Sequence, residues 1–364
     1  MDRLEILEIA KQFVTSAEPI SAEAYGQGLI NFTFEITTKD EHRYILQKIN
    51  TYVFKNPVGV MENIQGVTEF LAKKIQAAGG DPLRETLQLI PTKGNATFYL
   101  RPVDQSYWRM YRFITDATAY QSVERAGLLF EAAKAFGAFQ RQLADYPAQN
   151  LCEVIPNFHN TAARYAAFEE AWERNAAGRA DQVAEEIAFL REHEAYAHLI
   201  VDGLREGRIP TRVTHNDTKL NNVMIDDATG MGLCVIDLDT VMPGSLLYDF
   251  GDSVRFSANN GAEDDRDLSR VWIRPELYEE YVSGFLQGLG DSITEEELHL
   301  LPESVAVLTY ELALRFMTDY LDGDRYFKVL SEDHNLVRTR AQIQLMKDIL
   351  SKLTLLHQIT EKYC

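Results

Sequence analysis

His215-Asn216-Asp217 is followed five residues on by Asn222, and then by an apolar run, 233–236, that ends in Asp237. These residue types in this order suit phosphoryl transfer. One carboxylate orients an acceptor hydroxyl, while an amide oxygen and a second carboxylate hold Mg²⁺ against nucleotide phosphates. Asp217 is the candidate base, and Asn222 and Asp237 are the candidate hard-oxygen metal ligands. Lys219 is placed either to offer its ammonium to the transferring phosphoryl group or to be a solvated surface lysine. Asp239 is expected on the same strand face as Asp237, as a second metal group or a hydrogen-bond partner. His215 reads as a structural imidazole bonded to nearby backbone. Asp249, in Tyr248-Asp-Phe-Gly-Asp252, reads as the brace of the loop.

Those residues need a scaffold. The stretch 26–38 reads as a glycine-containing turn leading into a strand, 39–42 as a polar turn and 43–50 as the returning strand. Gly26 and Gly28 let backbone approach phosphates, although a plain hairpin turn has the same composition. Val58, Met61, Ile64, Val67, Phe70 and Leu71 recur at helical spacing, and strands are expected at 96–101 and 108–114. From about residue 121 the pattern becomes long helices, predicted at 122–143, 161–174, 181–206, 275–289, 294–319 and 335–356. Thr294 with Glu297 has the form of a capping box. The fold class expected is α+β, with a sheet-based N-lobe at 1–115 and a larger, mainly helical C-lobe at 116–364. Ligand sites favour such domain interfaces.

With 364 residues, a formal net charge of -19 and 25% charged residues, the composition is that of an ordinary globular protein and argues against nonspecific nucleic-acid binding. Three scattered cysteines, Cys152, Cys234 and Cys364, give neither a disulfide framework nor a zinc cluster and fit a reducing compartment. No signal-like start or membrane-length apolar run is present, so the expected location is cytoplasmic. The Gly-x4-Gly-Lys-Ser/Thr phosphate loop is absent.

The segments Thr214-His-Asn-Asp-Thr-Lys-Leu-Asn-Asn222 and Ile236-Asp-Leu-Asp-Thr-Val-Met-Pro-Gly-Ser245 resemble the aminoglycoside phosphotransferase and choline kinase superfamily. Tyr44-Ile-Leu-Gln47, the segments 249–256 and 315–327, and His334-Asn-Leu-Val-Arg-Thr-Arg340 are similar to the N-acetylhexosamine 1-kinases within it. The resemblance implies a bilobal protein-kinase-like fold that uses ATP and Mg²⁺ to phosphorylate the anomeric hydroxyl of N-acetylglucosamine or N-acetylgalactosamine. It places Gly26, Gly28, Asn31, Thr33 and Gln47 at the nucleotide, Asn222 and Asp237 on the metal, and Asp217, Phe256, Arg315 and Tyr326 at the sugar. Read without it, Arg315 is a helix-surface ion pair and Tyr326 a partly buried aromatic.

There are departures. Gln47 stands where broad relatives carry Lys or Arg, Lys48 points to the other face, and Leu29 replaces a His common in close relatives. The first-lobe partner acid is either Glu62 or Glu69. Alternatives are a superfamily kinase for choline, homoserine or an aminoglycoside, and a non-catalytic nucleotide-binding regulator. Neither a nucleic-acid nor a membrane partner is expected.

Overall fold

The computed structural model describes residues 2–26, 30–123 and 125–363. The chain forms two compact units. The first comprises Met1–Ala119, Asp145–Pro156 and Val223–Pro243, so Asp237 and Asp239 fold with the N-terminal sheet. The second comprises Tyr120–Ala144, Asn157–Asn222 and Gly244–Cys364.

In the first unit, β1 (Pro19–Ala24), β2 (Phe32–Thr38), β3 (Arg43–Lys48), β4 (Tyr99–Leu100) and β5 (Tyr107–Arg112) make an antiparallel sheet in the order β1-β2-β3-β5-β4. Side chains alternate across a pleated sheet. One face therefore carries Ile36, Tyr44, Leu46, Trp108 and Met110, which pack with Ile6, Ile9 and Ala10 of α1 (Arg3–Ala10) into a closed core. The other face carries Thr33, Gln47 and Arg109, aligned directly across β2, β3 and β5. Lys48 faces away from them, 3.5 Å from Asp104.

α2 (Pro57–Ala77) starts where the Asn56 side chain accepts the Gly59 N–H at 3.0 Å and Pro57 pre-sets the first turn. Its inner face carries Asn63, which donates to the Cys152 and Val241 carbonyls at 2.8 and 2.9 Å. After the short α3 (Pro82–Glu85), β6 (Ala117–Ala119), β8 (Val223–Asp226) and β9 (Gly232–Val235) form a second antiparallel sheet in the order β6-β8-β9.

The second unit holds the short strand β7 (Arg212–Thr214) and the helices α4 (Leu128–Gln142), α5 (Thr161–Arg174), α6 (Ala184–Glu192), α7 (Ala195–Arg205), α8 (Leu246–Ser257), α9 (Pro275–Leu289), α10 (Glu295–His299), α11 (Leu301–Asp322) and α12 (His334–Glu361). Tyr310, Leu314, Met317 and Leu321 of α11 pack against Phe168 of α5 and Met346 of α12. Three of the expected helices differ, for local reasons. The predicted 122–143 helix begins only after Gly127, whose φ of +78° is left-handed. The predicted 181–206 helix is two helices, because the His193 ring bonds the Phe189 carbonyl at 2.9 Å and closes α6. The predicted 294–319 helix is interrupted at Leu300, just before Pro302, which has no N–H to continue a ladder.

The Thr294 capping box is present: the Glu297 N–H donates to Thr294 Oγ1 at 3.2 Å and the Thr294 N–H to Glu297 Oε2 at 2.9 Å. The same buried Glu297 accepts a two-pronged bond from Arg212, at 2.6 and 2.7 Å. That pair anchors β7, the strand leading into the His-Asn-Asp loop.

Candidate functional site

In the second unit, β7 runs into a buried turn. Asn216 has φ +64°, a conformation Asn tolerates better than most residues, so the chain reverses and leaves Asp217 partly exposed. The fully buried carboxylate of Asp249, on α8, holds this turn. It accepts the His215 N–H at 2.9 Å, the Asn216 N–H at 2.7 Å and the Gln140 amide at 2.6 Å. Thr218 donates from its hydroxyl to the Asp249 carbonyl at 2.7 Å. Burial pushes the Asp249 carboxyl above the ordinary carboxylate range, while His215 and the three N–H donors pull the other way.

The His215 ring is wedged edge-on against Phe136 and Phe139 of α4, and its Nδ1 accepts the Asp217 N–H at 3.2 Å. It is a structural imidazole bonded to backbone. Asp217 is held from both sides. Lys219 Nζ lies 2.5 Å from Oδ1, and Asn222 Nδ2 donates to Oδ2 at 3.1 Å and to the Asp217 carbonyl at 2.8 Å. With the amide NH₂ of Asn222 committed to Asp217, its Oδ1 is the atom left for a hard cation, which suits an oxygen-loving metal.

A second constellation in this unit surrounds Arg315 on α11. The buried Glu311 lies 3.4 Å from Arg315 and accepts from His159 Nδ1 at 2.9 Å. Burial raises the Glu311 pKa, but His159, Arg315 and Arg164 outweigh it, so the group is held below the ordinary range. The Arg315 guanidinium lies 5.6 Å from the centre of the Phe327 ring, and Tyr326 stands edge-on to that ring at 4.8 Å with its own side chain exposed. Arg315 and Tyr326 thus meet around Phe327. The carboxylate of Asp319 fixes the segment by accepting the N–H groups of Arg325, Tyr326 and Phe327 at 2.8, 2.8 and 2.9 Å. Phe256 is exposed at the end of α8. Arg255 beside it pairs with Asp252 at 2.8 Å.

In the first unit, the strand-face expectation for Asp237 and Asp239 is corrected. β9 stops at Val235, Asp237 adopts φ +61°, and residues 238–240 form a 3-10 turn, so the period-two alternation no longer applies. Asp237 is exposed and Asp239 buried. Asp239 forms an ion pair with Arg109 and accepts from Asn31 Nδ2 at 2.6 Å. Of the two readings left open for Asp239, hydrogen-bond partner is the one its contacts match. Gln47 Oε1 accepts from Arg109 Nε and Nη2 at 3.0 and 2.8 Å, and Gln47 Nε2 donates to Thr33 at 3.0 Å. Asn31, Thr33 and Gln47 are thus drawn into one network with Arg109.

Gly26 has φ +72°, whereas Gly28 and Leu29 lie outside the described residues. Glu62 and Glu69 are both exposed; Glu69 accepts from Gln65 at 2.8 Å, and Asp239 is the acid paired with Arg109. The sequence reading missed Arg109, Gln140, His159 and Glu311. Only Arg109 left a trace in the sequence, as a charge inside an apolar strand. No group of three or more His, Cys, Asp or Glu residues suited to a metal occurs among the described residues.

Residues 21–286 match the phosphotransferase enzyme family, APH, and the chain belongs to that family. Its fold is similar to that of an aminoglycoside phosphotransferase from Alicyclobacillus acidocaldarius, with a TM-score of 0.64 at 14% identity, covering 98% of this chain and 96% of that one. A microcompartment-associated aminopropanol kinase aligns with a TM-score of 0.61 at 16% identity, over 97% and 98% of the two chains. An amicoumacin kinase in complex with AMP-PNP, Ca²⁺ and Ami gives 0.58 at 14% identity, over 97% and 94%. The α+β architecture, with its small antiparallel sheet and larger helical part, is the one these kinases have. In sequence, a putative ankyrin repeat protein of Acanthamoeba polyphaga mimivirus is 26% identical over 121 residues, which is 33% of this chain and 19% of that protein. No helix among the described residues is long and apolar enough to cross a membrane.

Proposed function

We propose that the protein is an ATP- and Mg²⁺-dependent kinase that transfers the γ-phosphate to the anomeric hydroxyl of N-acetylglucosamine or N-acetylgalactosamine, acting in the cytoplasm. The observation that carries the phosphotransfer reading is the braced loop, in which Asp217 is presented with Lys219 and Asn222 on its two oxygens. Asp217 orients the sugar hydroxyl and takes its proton, and Lys219 moves from Asp217 to the charge on the transferring group. Asn222 and Asp237 are each proposed as a magnesium ligand, and magnesium would supply positive charge to the phosphate oxygens. For the nucleotide, Gly26, Asn31, Thr33 and Gln47 are the proposed contacts, together with Gly28, which lies outside the described residues.

The sugar reading rests on Arg315 and Tyr326 gathered around Phe327, with Phe256 offered as the packing surface. Arginine gives a rigid fork of donors, and tyrosine an apolar ring with a hydroxyl, which suits a polyhydroxylated ring bearing an amide. The acids nearby favour this over a cationic acceptor such as choline or an aminoglycoside. Glu311 is matched by His159 and Arg315, and Asp252 by Arg255, so neither is a bare carboxylate awaiting an ammonium.

The test is phosphorus NMR of the protein with Mg-ATP and, separately, N-acetylglucosamine, N-acetylgalactosamine, glucose, galactose and choline. A phosphomonoester coupled to the anomeric proton of an N-acetylhexosamine is expected. Product with choline alone removes the sugar assignment, and ATP binding with no product from any acceptor favours a non-catalytic regulator.

A further inference from the structure

The sheet face beside Asp237 carries a positive charge. Arg109 is 1% exposed, an unusual position for a cation unless it is fully matched. It is matched on two sides: Gln47 takes two of its N–H groups, and Asp239 forms its ion pair. Burial works against the charged guanidinium, but Asp239, with Tyr111 and Asp237, more than reverses it, so Arg109 stays protonated. Gln47 is fixed in turn by Thr33, directly opposite on β2, and Asp239 by Asn31, the residue before that strand. The chain Thr33–Gln47–Arg109–Asp239–Asn31 therefore bonds three strands to the 3-10 turn that begins at Asp237. Asn63 of α2 holds the far end of that turn through the Val241 carbonyl.

We infer that Arg109 is a positioning residue for the metal. By locking Asp239 onto the sheet, it fixes the left-handed backbone of Asp237 and so aims that carboxylate at the cation accompanying the nucleotide. This rests on the kinase reading above and assigns a role to a residue two positions removed from the ligand. Asp239 then serves as the anchor and Asp237 as the ligand. A glutamine at position 47 is also explained. A lysine there would set a second cation against Arg109, whereas the amide oxygen of Gln47 gives the guanidinium an acceptor.

Calorimetry of ADP binding with and without Mg²⁺ separates this role from a general loss of structure. Wild type is expected to bind Mg-ADP more tightly than ADP alone. Failure of wild type to bind either would overturn the kinase reading itself, independently of Arg109. In R109Q and D239N, the advantage given by Mg²⁺ is expected to fall by roughly 10–100-fold, the usual effect of removing a group that orients a metal ligand, with affinity for metal-free ADP retained. Combining R109Q with D237N should cost no more than D237N alone, because both act on one carboxylate. Equal loss with and without Mg²⁺, an unchanged Mg²⁺ advantage, or additive losses in the double variant would each overturn the inference. Melting curves establish folding first. If R109Q does not fold, R109K, which keeps the charge and loses the fork, is compared with D239N by the same titrations, and an undiminished Mg²⁺ advantage in both would equally overturn it.

Discussion

Replacing Asp249 by Asn changes one atom and no volume, and it separates the brace of the loop from its chemistry. Asp249 Oδ1 accepts the Asn216 N–H, and Oδ2 accepts both the His215 N–H and the Gln140 amide. An asparagine has one acceptor oxygen. Whichever way it is turned, its NH₂ meets at least one N–H head-on inside a fully buried pocket. A hydrogen bond to a charged group contributes about 1.5–3 kcal/mol, and a stranded buried donor costs about 1–3 kcal/mol. These overlap, so the expected loss is roughly 3 kcal/mol. In a unit of this size that corresponds to a drop in melting temperature of about 6–12 °C. Turnover should fall as well, because Asn216 is held in its left-handed turn by the bond that is lost. Asp217→Asn is the control. Asp217 is a quarter exposed and its partner Lys219 is on the surface, so stability should change by no more than about 1 kcal/mol while turnover falls about 10²–10⁴-fold. The assay is differential scanning fluorimetry beside a coupled ADP-release measurement on both variants. A D249N protein that melts and turns over like wild type would refute the bracing role.

Three further outcomes are expected. Arg315→Lys keeps the charge but loses the planar fork and should raise the acceptor KM about tenfold with little change in the KM for ATP; an effect on ATP alone would remove Arg315 from the proposed acceptor site. Glu311 and Asp252 are held below the ordinary carboxylate range, against burial, by His159, Arg315 and Arg164 in the first case and by Arg255, His159 and Lys219 in the second. Their folded values lie below their unfolded ones, so their stabilisation is complete above about pH 5 and is lost as pH falls through the folded values; melting temperatures flat between about pH 6 and about pH 3 would contradict this. Gly284 on α9 presses on the backbone of Phe130 on α4, where a Cβ would collide with the carbonyl. Gly284→Ala should therefore cost about 1–3 kcal/mol in urea unfolding and lower turnover too, since α4 carries Phe136, Phe139 and Gln140 against the loop.

Elements that depend on local chemistry were legible in the sequence. The β2–β3 hairpin, α5, α9 and the Thr294 capping box follow from alternation, helical period and a cap with its reciprocal Glu. His215 bonding to nearby backbone and Asp249 bracing the loop could be read from a buried His-Asn-Asp turn followed by an acid on the next helix. What escaped depends on long-range pairing. Gln140 reaches Asp249 across 109 positions, and His159 reaches Glu311 across 152, distances over which no periodicity acts. Arg109 escaped for a topological reason. β5 is hydrogen-bonded to β3 although 58 residues separate their ends, so no hairpin sets the register that puts Gln47 opposite Arg109.

The two acids after β9 show where alternation ceases to be a guide. Along a continuing strand, Asp237 and Asp239 would point the same way and both would be available to a cation. The backbone instead enters the left-handed region at Asp237, and the next three residues coil tightly, which rotates Asp239 inward. A buried carboxylate at that point requires a cation, and Arg109 is the one present. Each feature depends on the other. Without the turn, Arg109 would lack its acid and be costly to bury; without Arg109, nothing would offset the burial of Asp239 that the turn demands. One short turn thus gives two nearby aspartates opposite environments, one exposed and one anchored to the sheet.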